Sequence, residues 1–171
     1  YPQKSYGYDT DTWKYTSLRQ DLFDALYALH PAFLRFPGGC VAEGDSLENL
    51  FNWKDTVGPL ESRKQFYNLW RNNEIDYNNS YAVGYHEYFQ LCEDLGAAPV
   101  PILNVGLVCQ ARCGYDDTYQ KYQSGEMTAA EWEDYLDTIA LRPGTAEWDD
   151  YVQDILDLIE YANGDVTTEW G

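Results

Sequence analysis

The chain has 171 residues, 44% of them hydrophobic, which is the length and composition of one ordinary domain able to build its own core. Eleven Lys and Arg against 29 Asp and Glu give a formal charge of −18, so DNA, RNA and anionic membranes are repelled over most of the surface, and nucleic-acid binding is excluded as a function class. No run approaches the roughly 18 to 20 apolar residues of a membrane span, and the opening YPQKSYGYDTDTW lacks the basic and apolar regions of a signal peptide, which leaves localisation open.

Residues 1–15 form a lead-in segment without a clear pattern. The first element is a helix from about Leu18 to Leu29, with Ser17 and Gln20 spaced as a capping box and Leu18, Leu22, Ala25, Leu26 and Leu29 on one face. Pro31 ends it. Ala32 to Phe36 is apolar except for Arg35 and is expected to be a buried strand. A second helix runs from about Ala82 to Leu95, with Tyr85, Tyr88, Phe89, Cys92 and Leu95 at helical spacing and Gly96 as its stop. Pro99 to Val105 follows as another buried strand, although Pro101 cannot donate a ladder hydrogen bond. Thr128 and Glu131 make a capping box for a helix to about Ala140. Thr145 caps a longer helix through Ala162, whose stripe of Trp148, Tyr151, Val152, Ile155, Ile159 and Ala162 ends at Gly164.

Helices alternating with apolar strands predict an α/β fold of parallel βα units. Connections into the strands are short, whereas those leaving them are long, from about Pro37 to Tyr81 and from Gly106 onward. Elaborated loops at the carboxyl ends of parallel strands hold the active site in a (β/α)8 barrel or an open α/β sheet. Two strands do not close a barrel and leave edges unpaired, so the expectation is a piece of a larger sheet.

Cys40, Cys92, Cys109 and Cys113 lack the paired CxxC spacing of a zinc site, so no metal site is expected. Cys92 lies on the apolar face of its helix, as core. Cys109 and Cys113 are read as two unrelated thiols, with a local disulfide as the alternative in an oxidising compartment.

Phe33 to Asp45 (FLRFPGGCVAEGD) and Phe51 to Pro59 (FNWKDTVGP) are followed by GYHEYFQLCEDLGA at Gly84 to Ala97, PILNVG at Pro101 to Gly106 and ILDLIEYANGDVTTEWG at Ile155 to Gly171. In that order these motifs resemble the glycoside hydrolase family 51 α-L-arabinofuranosidases, in the branch that includes plant enzymes. The resemblance implies a partial (β/α)8 TIM barrel, with residues 1–171 a fragment of a single catalytic domain carrying about two βα units. It implies that the family's acid/base Glu, after a later Gly-Asn motif, and its nucleophilic Glu both lie outside this sequence, so that catalytic residues here are none and the isolated piece is inactive. No metal or organic cofactor is implied. The partners implied are an oligosaccharide or polysaccharide substrate and the remainder of the barrel.

Five residues are candidates for substrate binding. Arg35, in an apolar strand and followed by Pro37, Gly38 and Gly39, is either half of a buried ion pair or a guanidinium for sugar hydroxyls, and the resemblance matches it to a pocket arginine. Cys40 stands where many bacterial members have an asparagine that bonds arabinose. Glu43 is a candidate replacement acceptor or a solvated loop carboxylate. Trp70 matches an aromatic beside the leaving group, whereas Trp53 reads as a local core anchor. Asn104, at the expected carboxyl end of the second strand, occupies a pocket position of a barrel or ties down the following loop. His30 complements a helix end, His86 is a helix-surface residue, Asn163 is a solvated or capping group, and Asn78 begins an Asn-Asn-Ser sequon.

The function expected from the resemblance is removal of terminal arabinofuranosyl groups from arabinoxylan or arabinan with retention. A β-xylosidase or endoglucanase of the same fold family is the alternative within the enzyme class. A non-catalytic carbohydrate-binding or scaffold protein is the alternative outside it.

Overall fold

The computed structural model describes residues 18–70 and 78–171. In chain order the elements are α1 (Gln20–Leu29), β1 (Phe33–Phe36), α2 (Gly39–Glu43), β2 (Gln65–Tyr67), β3 (Asn78–Ser80), α3 (Tyr85–Leu95), β4 (Ala98–Pro101), α4 (Tyr115–Ser124), α5 (Ala129–Ile139) and α6 (Ala146–Asn163). Single 3₁₀ turns at Leu47–Asn49, Trp53–Thr56 and Leu60–Ser62 fill the segment between α2 and β2, and β2 pairs with β3 in a small two-stranded sheet. The described residues divide into two compact units, 18–36, 53–65 and 79–101 in the first and 37–52, 66–70, 78 and 102–171 in the second.

The first unit contains a parallel pair of strands. β1 and β4 align Phe33 with Ala98, Leu34 with Pro99, Arg35 with Val100 and Phe36 with Pro101. Parallel neighbours require a crossover, and α3 supplies its last leg, so the expected βα alternation is present. The strand prolines are compatible with pairing on one side. Ala98 N–H donates to Ala32 O at 2.9 Å, and the two-residue period of a strand turns the missing N–H of Pro99 and Pro101 toward the opposite edge.

Alternation along β1 sends Leu34 and Phe36 toward α3. Leu34, like Leu18, Leu26 and Leu91, packs against the buried cluster of Phe23, Leu95 and Ala97. The Phe36 ring stacks on Tyr88 at 5.0 Å and meets Tyr85 edge-on at 5.5 Å, while Tyr88 Oη donates to Leu34 O at 2.8 Å. Phe33, Arg35 and all of β4 are exposed, contrary to the expectation of two buried strands. Among the described residues only Leu34 and Phe36 of this pair are covered, so half of β1 and all of β4 meet solvent. β4 also ends at Pro101 rather than Val105, because Asn104 bends the chain into a loop through its own side chain.

The first helix begins two residues later than expected. Its N-cap is Arg19, which makes no side-chain cap bond, and Gln20 bonds Asp24 instead; Ser17 lies outside the described residues. Its inward face is also rotated, with Phe23 buried while Leu22 and Leu29 are exposed. α3 follows its expected pattern, with Tyr85, Tyr88, Cys92 and Leu95 buried and Gly96 in the left-handed conformation. Glu87 accepts from Gly84 N–H at 2.9 Å, half of a capping box, since glycine has no side chain to reciprocate. A Cβ on Gly84 would overlap Thr56 O, so the start of α3 approaches that turn as only glycine can. His86 is half-buried rather than a surface group; burial holds its pKa below the ordinary value, and its Nε2 lies 2.8 Å from Gln90 Nε2.

Arg63 ties the unit together. Nη1 and Nη2 meet the two Glu87 oxygens at 2.8 Å each, Nη1 also donates to Tyr81 O at 2.7 Å, and Nε donates to Gly58 O at 2.9 Å. The Arg63 side chain is only 5% exposed and that of Glu87 12%, so this bidentate pair is buried.

The second unit holds the remaining helices. Thr128 Oγ1 accepts from Glu131 N–H at 3.2 Å and Thr128 N–H donates to Glu131 Oε2 at 2.8 Å, the full expected capping box. Thr145 Oγ1 accepts from Trp148 N–H at 3.2 Å. α4, which the sequence reading does not include, aligns Tyr115, Tyr119 and Tyr122 against the buried Trp132 of α5 at 5.8, 5.6 and 5.0 Å. Along α6 the expected apolar stripe is only half used: Trp148, Tyr151 and Ile155 are half-buried, Val152, Ile159 and Ala162 are exposed, and the buried positions are Asp157 and Leu158. No described helix is long and apolar enough to cross a membrane.

Candidate functional site

The Pro37-Gly38-Gly39 turn, with Gly38 at φ 123°, leads into the single-turn helix α2, and this turn is the centre of the site. Spacing of i and i+3 puts Cys40 and Glu43 on one side of α2, both half-buried, while Ala42 between them is buried. Ala42 O accepts from Asn104 Nδ2 at 2.6 Å and from Phe51 N–H at 3.3 Å. Gly44 ends the turn at φ 65°, and a Cβ there would overlap the Asn49 carbonyl, so no other residue fits this exit.

Gly44 O accepts from Cys109 N–H at 3.0 Å. That bond carries the buried Cys109 to the Cys40 and Glu43 side of α2, where the two Sγ atoms and a Glu43 oxygen lie within 4.8 Å of one another. Burial, then contact with Cys40, pushes the Cys109 thiol up to about 11. All four cysteines are free, and Cys113 sits apart from this cluster, its Sγ 3.8 Å from Tyr135 Oη. The reading of Cys109 and Cys113 as unrelated thiols therefore stands; spacing gave no sign of the proximity of Cys109 to Cys40.

Asn104 is buried, and three bonds use most of its carboxamide. Besides Nδ2 to Ala42, Oδ1 accepts from Gly106 N–H at 2.8 Å and from Tyr151 Oη at 2.6 Å. Tyr151 also donates toward Asn104 O at 3.0 Å, and burial raises its phenol to about 12, so it stays protonated and a donor. The geometry makes Asn104 the link between α2, the following loop and α6. Tyr151, part of an apolar stripe in the sequence, gave no hint of this polar role.

Trp70 is 45% exposed in the same unit, with the Arg112 guanidinium carbon 5.9 Å from its ring centroid, and its backbone N–H donates to Asn68 Oδ1 at 2.8 Å. Its indole is available as a platform. Trp53, by contrast, is 2% exposed, a core anchor as expected. Tyr67 Oη donates to Asp45 at 2.6 Å, fastening the segment after Gly44. Arg35 belongs to the first unit; its side chain is exposed and makes no ion pair or hydrogen bond among the described residues, so it is not half of a buried pair there. Asn163, exposed, donates to Ile159 O at 2.9 Å as a helix-end cap.

Residues 25–171 match the family model described as the alpha-L-arabinofuranosidase 1 domain. The chain belongs to this α-L-arabinofuranosidase domain family. It is 37% identical over 175 residues to an extracellular exo-alpha-L-arabinofuranosidase of Streptomyces chartreusis, covering 95% of this chain and 17% of that protein. It is 35% identical over 162 residues to alpha-L-arabinofuranosidase 1 of Arabidopsis thaliana, covering 94% of this chain and 19% of that protein. The chain thus spans about a fifth of the length of these arabinofuranosidases. Among solved structures, an arabinose-bound GH51 α-L-arabinofuranosidase aligns with TM-score 0.61 at 24% identity over 88% of this chain and 19% of its own. The Thermotoga maritima α-L-arabinofuranosidase in its arabinose complex aligns with TM-score 0.52 at 20% identity over 89% of this chain and 21% of its own. At these identities the structural likeness is one of fold.

Proposed function

We propose that residues 1–171 are part of the (β/α)8 catalytic domain of a retaining α-L-arabinofuranosidase that removes terminal arabinofuranosyl groups from arabinoxylan or arabinan. The family match over residues 25–171 carries this reading. The parallel β1–β4 pair, with its crossover through α3 and one uncovered face, supports two βα units of a barrel whose other strands complete the sheet.

In this reading the segment after β1 and the loop after β4 form part of the sugar-binding wall. Within the second unit, Cys40 and Glu43 line the α2 side and Trp70 stacks on an apolar sugar or aglycone face; Arg35, in the first unit, offers hydroxyls a guanidinium that has no partner among the described residues. Asn104 contributes by fixing α2 rather than by a free acceptor, since its oxygen already takes two hydrogen bonds. Retaining hydrolysis needs two carboxyl groups about 5 to 5.5 Å apart, one as nucleophile and one as acid/base. No residue of this chain is assigned to either role, and the chain alone binds sugar at most.

The test is arabinose release by the full-length protein from an aryl α-L-arabinofuranoside and from arabinoxylan, with the product anomer followed by proton NMR. Release of the retained anomer is expected. Preference for a β-xyloside or a glucan would replace the substrate assignment, and saturable hydrolysis by the purified 171-residue chain would overturn the assignment of catalysis elsewhere.

A further inference from the structure

We infer that Cys40, Glu43 and Cys109 form a binding site for a thiophilic divalent cation of the Zn²⁺ class. Three donors of the right chemistry converge from two separate stretches of chain: two thiols, which are soft ligands favouring zinc over magnesium or calcium, and one carboxylate. The site shares Cys40 and Glu43 with the proposed sugar-binding wall, but the inference rests on the three donors and not on that reading.

The geometry is close to that of a bound ion. Tetrahedral zinc with Zn–S of about 2.3 Å holds two sulfurs roughly 3.8 Å apart. The three donor atoms lie within 4.8 Å of one another, close enough for side-chain rotation to bring them around one ion. The backbone beneath them is fixed in advance. Cys40 and Glu43 share one helical turn, Gly44 N–H donates to Cys40 O at 2.8 Å, and the Cys109 N–H bond to Gly44 O holds the third donor against that turn.

Two thiolates and a carboxylate carry three negative charges, which a divalent ion reduces to one. Binding requires both thiols to release their protons to solvent, so affinity rises with pH. Three protein ligands leave the fourth tetrahedral position open to water or another small ligand, the arrangement of a site that is accessible rather than closed. Cys92, in the core of α3, and Cys113, beside Tyr135, take no part.

Co²⁺ serves as the spectroscopic probe, added to the reduced, metal-free full-length protein. Equimolar Co²⁺ is expected to give a near-ultraviolet thiolate-to-cobalt charge-transfer band and the visible bands of a tetrahedral centre, both displaced by Zn²⁺. Cys40→Ser and Cys109→Ser should each reduce the charge-transfer band, Glu43→Gln should weaken affinity by about 10-fold or more, and Cys113→Ser should change nothing. A measurement without variants keeps the test open if a serine variant misfolds: Zn²⁺ should protect the half-buried Cys40, but not the half-buried Cys113, from alkylation read by mass spectrometry. Absence of the charge-transfer band, its loss in Cys113→Ser, or protection that falls on Cys113 would each overturn the site.

Discussion

Breaking the Arg63–Glu87 pair should cost more than any other single ionic change among the described residues, because of where the charges lie. With Arg63 5% and Glu87 12% exposed, neither charge regains water when its partner is removed. Truncating one side of such a pair costs about 3–5 kcal/mol, against about 1 kcal/mol or less for an exposed pair such as Arg142–Glu133. Arg63→Met should reach that range, since it also leaves Gly58 O and Tyr81 O without their donor. Glu87→Gln keeps an acceptor for Arg63 and should fall near the lower end. At about 2–4 °C per kcal/mol for a cooperative unit of about 150–250 residues, the expected loss in Tm is roughly 6–20 °C, and proportionately smaller where a larger unit unfolds together. The double variant Arg63→Met with Glu87→Leu should lose less than the sum of the two, because it leaves no orphaned charge. Burial opposes ionisation of Glu87, but hydrogen bonds from Arg63 and from Gly84 N–H outweigh it and hold the carboxyl below the ordinary value. A depressed carboxyl pKa stabilises the fold above the unfolded-state pKa, and that contribution is lost as pH falls through the folded-state value. Differential scanning calorimetry of the full-length protein should therefore show the gap between wild type and Glu87→Gln closing as pH drops below the usual carboxylate range. A Tm change under about 2 °C at neutral pH, or a gap that persists in acid, would refute the reasoning.

Gly44→Ala should destabilise by at least about 1–3 kcal/mol through its left-handed backbone alone, with the Asn49 overlap adding to it, as chemical denaturation would show. Asn104→Ala removes three hydrogen bonds from a buried site and should lower stability by about 2–4 kcal/mol and, under the proposed function, arabinose release by the full-length protein, whereas Tyr151→Phe should cost only about 1 kcal/mol. Arg35→Ala should change stability by no more than about 0.5 kcal/mol while lowering kcat/KM at least about 10-fold; unchanged kinetics would remove Arg35 from the pocket.

Local signals carried the sequence reading furthest. The Thr128–Glu131 box, the Thr145 cap and the Gly96 stop are each decided by a few adjacent residues, and the structure holds all three. Which side of a helix is buried is decided elsewhere, by the sheet it meets: α1 turns Phe23 inward and leaves Leu22 and Leu29 in solvent, although all are apolar. α4 was missed because its sequence, YDDTYQKYQS, is polar and its tyrosines acquire meaning only against Trp132 of α5. The candidate site divides the same way. Cys40 and Glu43 were visible from their motif, but Cys109 and Tyr151 reach it through the Cys109–Gly44 and Tyr151–Asn104 hydrogen bonds, long-range contacts that no spacing encodes.

Those same contacts separate the positions of α2 that hold the fold from the positions that carry chemistry. Ala42 is buried with its carbonyl accepting from Asn104 and Phe51, and Gly44 has neither the backbone freedom nor the space for a side chain. Residues 40 and 43 are half-buried where Ala42 is buried, so their side chains can change at less cost to the turn. A turn built this way lets different side chains occupy one wall of the site at little cost in stability. Cys40→Asn, a change at one of these half-buried positions, should therefore fold like the wild type. Its effect should appear in arabinose affinity and in cobalt binding, which it should weaken, while Ala42→Asn at the neighbouring position should unfold the segment. Equal destabilisation by the two substitutions in thermal unfolding would show that the turn does not separate these roles.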